Sequence, residues 1–170
     1  KKGVFGFRTI SDAKGMLELL PLTQTACVLG GGLIGLKAAY GLKKRKLEVK
    51  VIVKSSQVLS QILDKESAEM FKRRLVENGI EIVSGSEALE IIGEGDCKAV
   101  KLDSGKVIAS SIVVVGKGVK PNIELVEDSG IKFEEGVLVD DYMRTNIPNI
   151  YAAGDIAQSY DPILEKTAVN

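Results

Sequence analysis

The stretch Ala26-Cys27-Val28-Leu29-Gly30-Gly31-Gly32-Leu33-Ile34-Gly35 decides the fold. A short apolar run flows into three glycines, and Leu33 to Lys46 then carries helical spacing, so the segment predicts a strand, a tight turn and a helix. Val49, Val51, Ile52 and Val53 make a second, β-branched run bounded by Ser55-Ser56. Together they complete a βαβ unit of fewer than about 30 residues, and the right-handed crossover places both strands in one parallel sheet.

Gly30 to Gly35 satisfies G-x-G-x-x-G at a strand-to-helix junction, the context in which that pattern carries chemistry. Gly30 permits the tight turn. Gly32 has no Cβ, so a pyrophosphate can approach the amides of Gly31, Gly32, Leu33 and Ile34 at the positive end of the helix, while Gly35 lets helix and strand pack closely. A glycine turn without a ligand is the competing reading, and the strand before, the helix after and the second strand at the right distance all weigh against it. The acid expected about 20 positions on, to bind an adenosine ribose, is missing. Lys54 stands there, followed by Ser55 and Ser56. A lysine beside two serines suits a 2′-phosphate better than a bare hydroxyl, which leans the nucleotide preference to NADPH without excluding NADH; the plainer reading is a solvated strand-end lysine. Tyr40 and Lys44 form Y-x-x-x-K, a spacing that short-chain dehydrogenases use for proton transfer. Here it lies on the helix that serves the pyrophosphate, so packing for Tyr40 and a favourable charge near the helix C-terminus for Lys44 are the better expectations.

Outward from this unit, Ser11 is a candidate cap for a short helix ended by Pro21, and residues 4–10 alternate only loosely. Asp64 can cap a helix carrying Ala68, Phe71, Leu75 and Val76, which Asn78-Gly79 ends before a strand at Ile80 to Val83. Between Ala88 and Ala109 the period changes to three short runs broken at Gly93-Glu94-Gly95 and Asp103-Ser104-Gly105, a small antiparallel meander. Ile112 to Val115 predicts a buried parallel strand, with Gly116-Lys117-Gly118 a second glycine turn at its end. Beyond Pro121 only Val137-Leu138-Val139 and Ile150-Tyr151-Ala152-Ala153 suggest strands, and Glu165 to Asn170, with no capping or stop signal, suggests a chain cut in mid-domain. The expected fold class is α/β: a Rossmann-like three-layer domain with a parallel sheet and a small antiparallel meander, plus a partial second segment.

Composition narrows the chemistry. The 170 residues carry 23 Lys plus Arg against 23 Asp plus Glu, which removes the basic excess that nucleic-acid binding needs. With no histidine, a His base, a Ser-His-Asp triad and His-ligated metals are excluded by inventory. Cys27 and Cys97 lie far apart with no C-x-x-C, which argues for a reducing compartment and against a local redox dithiol. No apolar run approaches the ~18 residues of a membrane span and no signal-peptide core follows Lys1-Lys2, so no membrane partner and a cytoplasmic location are expected.

With these residues in view, the sequence resembles the FAD-dependent pyridine nucleotide-disulfide oxidoreductase superfamily, in the branch of NADH oxidases, rubredoxin and ferredoxin reductases and the nitrite reductase large subunit. Three stretches carry the likeness: Val28 to Leu36, Val115-Gly116-Lys117-Gly118-Val119-Lys120-Pro121-Asn122, and Thr145-Asn146-Ile147-Pro148-Asn149-Ile150-Tyr151-Ala152-Ala153-Gly154-Asp155. The resemblance implies residues 1–24 crossing from an FAD domain, residues 25–115 binding NAD(P), and residues 116–170 returning to the FAD domain. It adds Gly116, Gly118, Gly154 and Asp155 to the expected cofactor-binding residues, Asp155 matching a carboxylate that meets the flavin ribityl-phosphate region. It implies NAD(P)H as partner, FAD in the full-length protein, and an electron acceptor, small molecule or electron-transfer protein, that these residues do not name. The flavin's own glycine motif and the interface domain are expected outside this stretch, so the chain by itself is expected to be inactive. Two departures stand out: Lys37 replaces a usual glutamate near the nicotinamide, and Lys46 stands where relatives commonly place a helix-ending glycine. The alternative from another class is a non-catalytic dinucleotide-sensing module, which would have no use for Asp155; a free-standing dehydrogenase lacks its catalytic base.

Overall fold

The structure is a computed structural model that describes residues 1–162 and 166–169. It divides into two compact units, Lys1–Gly118 and Val119–Asn170.

The first unit is built on a five-stranded parallel sheet in the order β1-β8-β2-β3-β4, from β1 (Val4–Phe5), β2 (Thr25–Leu29), β3 (Glu48–Val53), β4 (Ile80–Ser84) and β8 (Ile112–Val115). Side chains alternate across it with the period of two that a strand imposes. Val28, Val51 and Val114 face one side, with α1 (Ile10–Leu19), α2 (Leu33–Lys44) and α3 (Lys65–Glu77) supplying Met16, Leu36, Leu42 and Leu75. Cys27, Leu29, Ile52 and Val113 face the other, covered by Val100, Leu102 and Ile108 of a meander, β5 (Ala88–Ile92), β6 (Ala99–Leu102) and β7 (Val107–Ala109). Helices, parallel sheet and meander are the three expected layers. A parallel sheet needs this cover on both faces, and each buried Val or Leu contributes roughly 1.5–3 kcal/mol.

Three expectations need correction. The cap of α1 is Thr9, not Ser11: Thr9 Oγ1 accepts from Asp12 N at 3.1 Å while Asp12 Oδ2 accepts from Thr9 N at 3.0 Å. Ser11 has no acid three residues on with which to form that reciprocal box, whereas Thr9 has Asp12. Residues 4–10 are not merely a loose lead-in, because β1 pairs with β8 at the sheet edge, two residues being too short to show a period. Ile150 to Ala153 is not a strand: Asn149 takes φ 65° after Pro148, and Tyr151 makes a single bridge to Arg144.

Helix ends mostly follow the sequence. Asp64 caps α3 through Ser67 N at 2.8 Å. At the end of α2, Lys46 takes the left-handed φ of 66°; its N–H donates to Lys43 O (2.8 Å) and Leu47 N–H to Leu42 O (3.4 Å). This is a Schellman closure with lysine where glycine is favoured, anchored by the buried pair Leu42 and Leu47.

The second unit carries β9 (Val137–Leu138), β10 (Ala157–Asp161) and β11 (Lys166–Val169), in the order β11-β10-β9. Only β9 was legible; β10 and β11 are polar enough to escape a hydrophobic pattern. The expectation of a chain cut at Glu165 to Asn170 lies partly outside the described residues, and Lys166–Val169 pairs antiparallel with β10.

Candidate dinucleotide-binding site

The strand order reverses between β2 and β8, so the carboxyl ends of these two strands open the crevice in which α/β sheets hold ligands. The glycine turn stands at that point. Gly30 has φ 120°, and a Cβ there would lie 2.2 Å from Gly116 O, so no other residue fits without displacing backbone. A Cβ on Gly35 would lie 2.4 Å from Gly30 O, and one on Gly31 2.9 Å from Val53 Cγ1. Gly116 sits behind the turn, where its Cβ would meet Gly35 Cα at 3.1 Å. Gly30 N–H donates to Ile52 O, and Gly31 O accepts from Leu59 N, each at 2.9 Å. The turn is therefore fixed to β3 and to the segment after it.

Gly32 differs from these neighbours. It is the N-cap of α2 with φ −81°, and a Cβ there would meet nothing within 4 Å. No side chain caps α2 and no acid stands in its first turn, so the amides of Leu33, Ile34 and Gly35 have no intrahelical acceptor and point along a positive helix end. An open surface of unpaired amides fits a pyrophosphate, and any side chain at position 32 would fill it. Leu33 and Ile34 turn their own side chains outward, 52% and 54% exposed. On the meander side of the same strand ends, Leu29, Val115, Ala88, Ile91 and Lys117 line an open recess of about 400 Å³.

Lys54 follows β3 at the rim of this turn, its side chain 79% exposed, and its Nζ is 2.7 Å from Glu87 Oε2. The other Glu87 oxygen is 3.1 Å from Lys117 Nζ. Lys54 and, after it, Lys117 hold the Glu87 carboxyl below its usual range, and Glu87 in turn raises Lys54. Of the two neighbouring serines, Ser55 gives its hydroxyl proton to Gln57 O (2.6 Å) and Ser56 is exposed. Glu87 was not foreseen. Its signal was weak but present: an acid just past the carboxyl end of a parallel strand.

The remaining expected residues fall as follows. Gly118 (φ 95°) and Gly154 (φ 79°) are both open, with nothing within 4 Å of an added Cβ. Asp155 is exposed at the turn before β10, in the second unit. Lys37 is exposed on α2. Tyr40 is not a packing residue: it is 48% exposed, with Lys44 Nζ 5.5 Å from its ring centroid. Cys27 is fully buried, and burial, with Cys97 adding to it, pushes its thiol up to about 12. Cys97 is buried too, its Sγ 3.2 Å from Ser110 O, and its pKa is also raised by burial. Nearby cations, Lys50 for Cys27 and Lys1 and Lys98 for Cys97, do not outweigh burial at either thiol. No helix among the described residues is long and apolar enough to cross a membrane.

This combination of switch point, glycine turn and uncapped helix belongs to a Rossmann-type α/β fold. The model of the pyridine nucleotide-disulphide oxidoreductase family matches residues 1–169, and the chain belongs to that family. It is 39% identical over 169 residues to an NADH oxidase of Methanocaldococcus jannaschii, covering 97% of this chain and 38% of that protein. It is 37% identical over 158 residues to an assimilatory nitrate reductase electron transfer subunit of Bacillus subtilis, covering 93% of this chain and 20% of the relative. Among solved structures, an NAD-dependent persulfide reductase from A. fulgidus superposes with a TM-score of 0.94 at 32% identity, over 99% of this chain and 32% of that one. The chain thus spans between a fifth and two fifths of these proteins.

Proposed function

We propose that this chain is the NAD(P)H-binding part of an FAD-dependent oxidoreductase that passes hydride from NAD(P)H to flavin and on to an acceptor. The observation that carries the reading is the open, uncapped N-terminus of α2 at Gly32, set at the switch point of the sheet. On this reading residues 25–115 hold the nucleotide, with the amides of Gly31 to Ile34 taking the pyrophosphate and Lys54 standing beside the adenosine ribose. Residues 116–170 are the returning flavin-domain segment, in which Gly118 and Gly154 leave backbone open to a ligand and Asp155 offers a carboxylate. The reduced nicotinamide supplies the hydride; the protein supplies position and exclusion of competing reactions. The names of the relatives, NADH oxidase and electron transfer subunit, support an acceptor beyond the flavin.

Calorimetric titration tests the site. Gly32→Val is expected to keep the fold, since an added Cβ there meets nothing within 4 Å, and to lose NADH and NADPH binding; unchanged affinity would refute the assignment. The same chain is expected to be colourless and without NAD(P)H oxidase activity. Asp155 offers one charged hydrogen bond, ~1.5–3 kcal/mol, against about 8 kcal/mol for micromolar affinity. A stoichiometric flavin spectrum would show that more of the FAD site is present than Gly118, Gly154 and Asp155.

A further inference from the structure

The segment after β4 folds back over the carboxyl end of β3: Gly85 N–H donates to Ser55 O (3.0 Å) and Ser86 N–H to Val53 O (3.2 Å). Glu87 O in turn accepts from Asp103 N at 2.9 Å, so the residue is pinned on both sides by backbone. Its side chain is thereby delivered to the mouth of the sheet, where it bridges Lys54, just past β3, and Lys117, just past β8. β3 and β8 flank β2 and its glycine turn, so the chain Lys54–Glu87–Lys117 is a charged strap across the strand ends of the candidate site. Asp103 adds a further negative charge to the surroundings of Lys54.

We propose that Glu87 sets the nucleotide preference of this site, by competing with a 2′-phosphate for Lys54 and by supplying the acid that the end of β3 lacks. This deepens the NAD(P)H reading and rests on it. With Glu87 in place, two lysines and one carboxylate leave a single net positive charge, and Lys54 already has an anionic partner. A nucleotide with a free 2′-hydroxyl leaves the pair undisturbed and finds a carboxylate nearby that can accept its hydrogen bond. A nucleotide with a 2′-phosphate must displace the carboxylate from Lys54. The displacement is feasible because Lys54 is 79% exposed and Glu87 only half-buried at 31%, and pairs open to solvent hold weakly. The strap therefore tempers the NADPH lean of a bare lysine rather than abolishing NADPH binding.

The test is a set of NADH and NADPH titrations on the 170-residue chain, Glu87→Gln, Lys54→Gln and the double variant, at low salt where such contacts are least screened. Glu87→Gln frees both lysines, and the ratio of the two affinities is expected to shift toward NADPH by about three- to tenfold, the size of one partly exposed charge-assisted contact. In the Lys54→Gln background the same change is expected to have almost no effect on the ratio. An unchanged ratio in Glu87→Gln, or the full shift persisting without Lys54, would overturn the role of Glu87 while leaving the site itself intact. If the parent bound neither nucleotide, the site reading would fall first and the role of Glu87 with it.

Discussion

Residues 1–118 bury a parallel sheet on both faces, whereas the described part of 119–170 buries three apolar side chains, Val126, Val137 and Ala157, and one polar one. That polar residue is Gln158: its amide donates to Glu134 Oε2 and Thr167 Oγ1, and its oxygen accepts from Gly136 N, each at 3.0 Å. One unit is held by a core and the other chiefly by backbone pairing and a buried amide. A close-packed glycine turn of this kind needs a covered sheet on which to rest. Gly30, Gly31, Gly35 and Gly116 of the first unit pack closely against backbone or Val53, and this packing shapes the turn around Gly32.

The same small clash placed in each unit in turn is expected to separate them. Gly35→Ala places a Cβ 2.4 Å from Gly30 O in the middle of the locked turn, and is expected to cost about 3 kcal/mol or more and to lower the main unfolding transition. Gly136→Ala places a Cβ 2.6 Å from Ile156 O, and is expected to perturb only residues 119–170. Hydrogen exchange read residue by residue would separate the two; loss of protection throughout both units in either variant would show that the division is not energetic.

A second probe uses pH on the buried face of the first unit. Cys27 is held neutral, with its pKa raised from 9.0 to about 12, so the stability it contributes is complete below pH 9 and is lost as pH rises toward 12. The slope is about 1.4 kcal/mol per pH unit in that window, and Cys27→Ala is expected to flatten the alkaline limb of a stability profile. Both thiols are expected to be silent to a thiol reagent at pH 8 until the chain unfolds. Rapid labelling of the native protein would contradict their burial.

The smallest effect sharpens the account of α2. Lys46→Gly relieves a left-handed lysine in the Schellman closure, and is expected to raise stability by about 1 kcal/mol in a denaturant melt, with no change in nucleotide affinity. No gain would mean that the φ of 66° costs nothing there.

What the sequence disclosed follows the same division. The βαβ unit and β8 were legible because runs such as Val51 to Val53 and Ile112 to Val115 must be apolar to lie in a covered parallel sheet, and the meander because glycine turns break its short runs. β1 was not, since two residues carry no period, and β10, Ala-Gln-Ser-Tyr-Asp, was not, since its pairing relies on backbone and Gln158 rather than on an apolar face. Gly30 and Gly35 could be read from the pattern because each answers a steric demand of the fold. Glu87 carries only a weak local mark, an acid just past a strand end: its ion pairs with Lys54 and Lys117 come from the fold bringing the ends of β3, β4 and β8 together.

The claim that matters most is that the nucleotide rests on the glycine turn of the first unit. Backbone amide chemical shifts followed during a titration with NADH test it directly. The account predicts saturable shifts centred on Gly31, Gly32, Leu33 and Ile34, with Lys54 and Glu87 next and the amides of 119–170 little changed. Saturable binding with those four amides unmoved would contradict it.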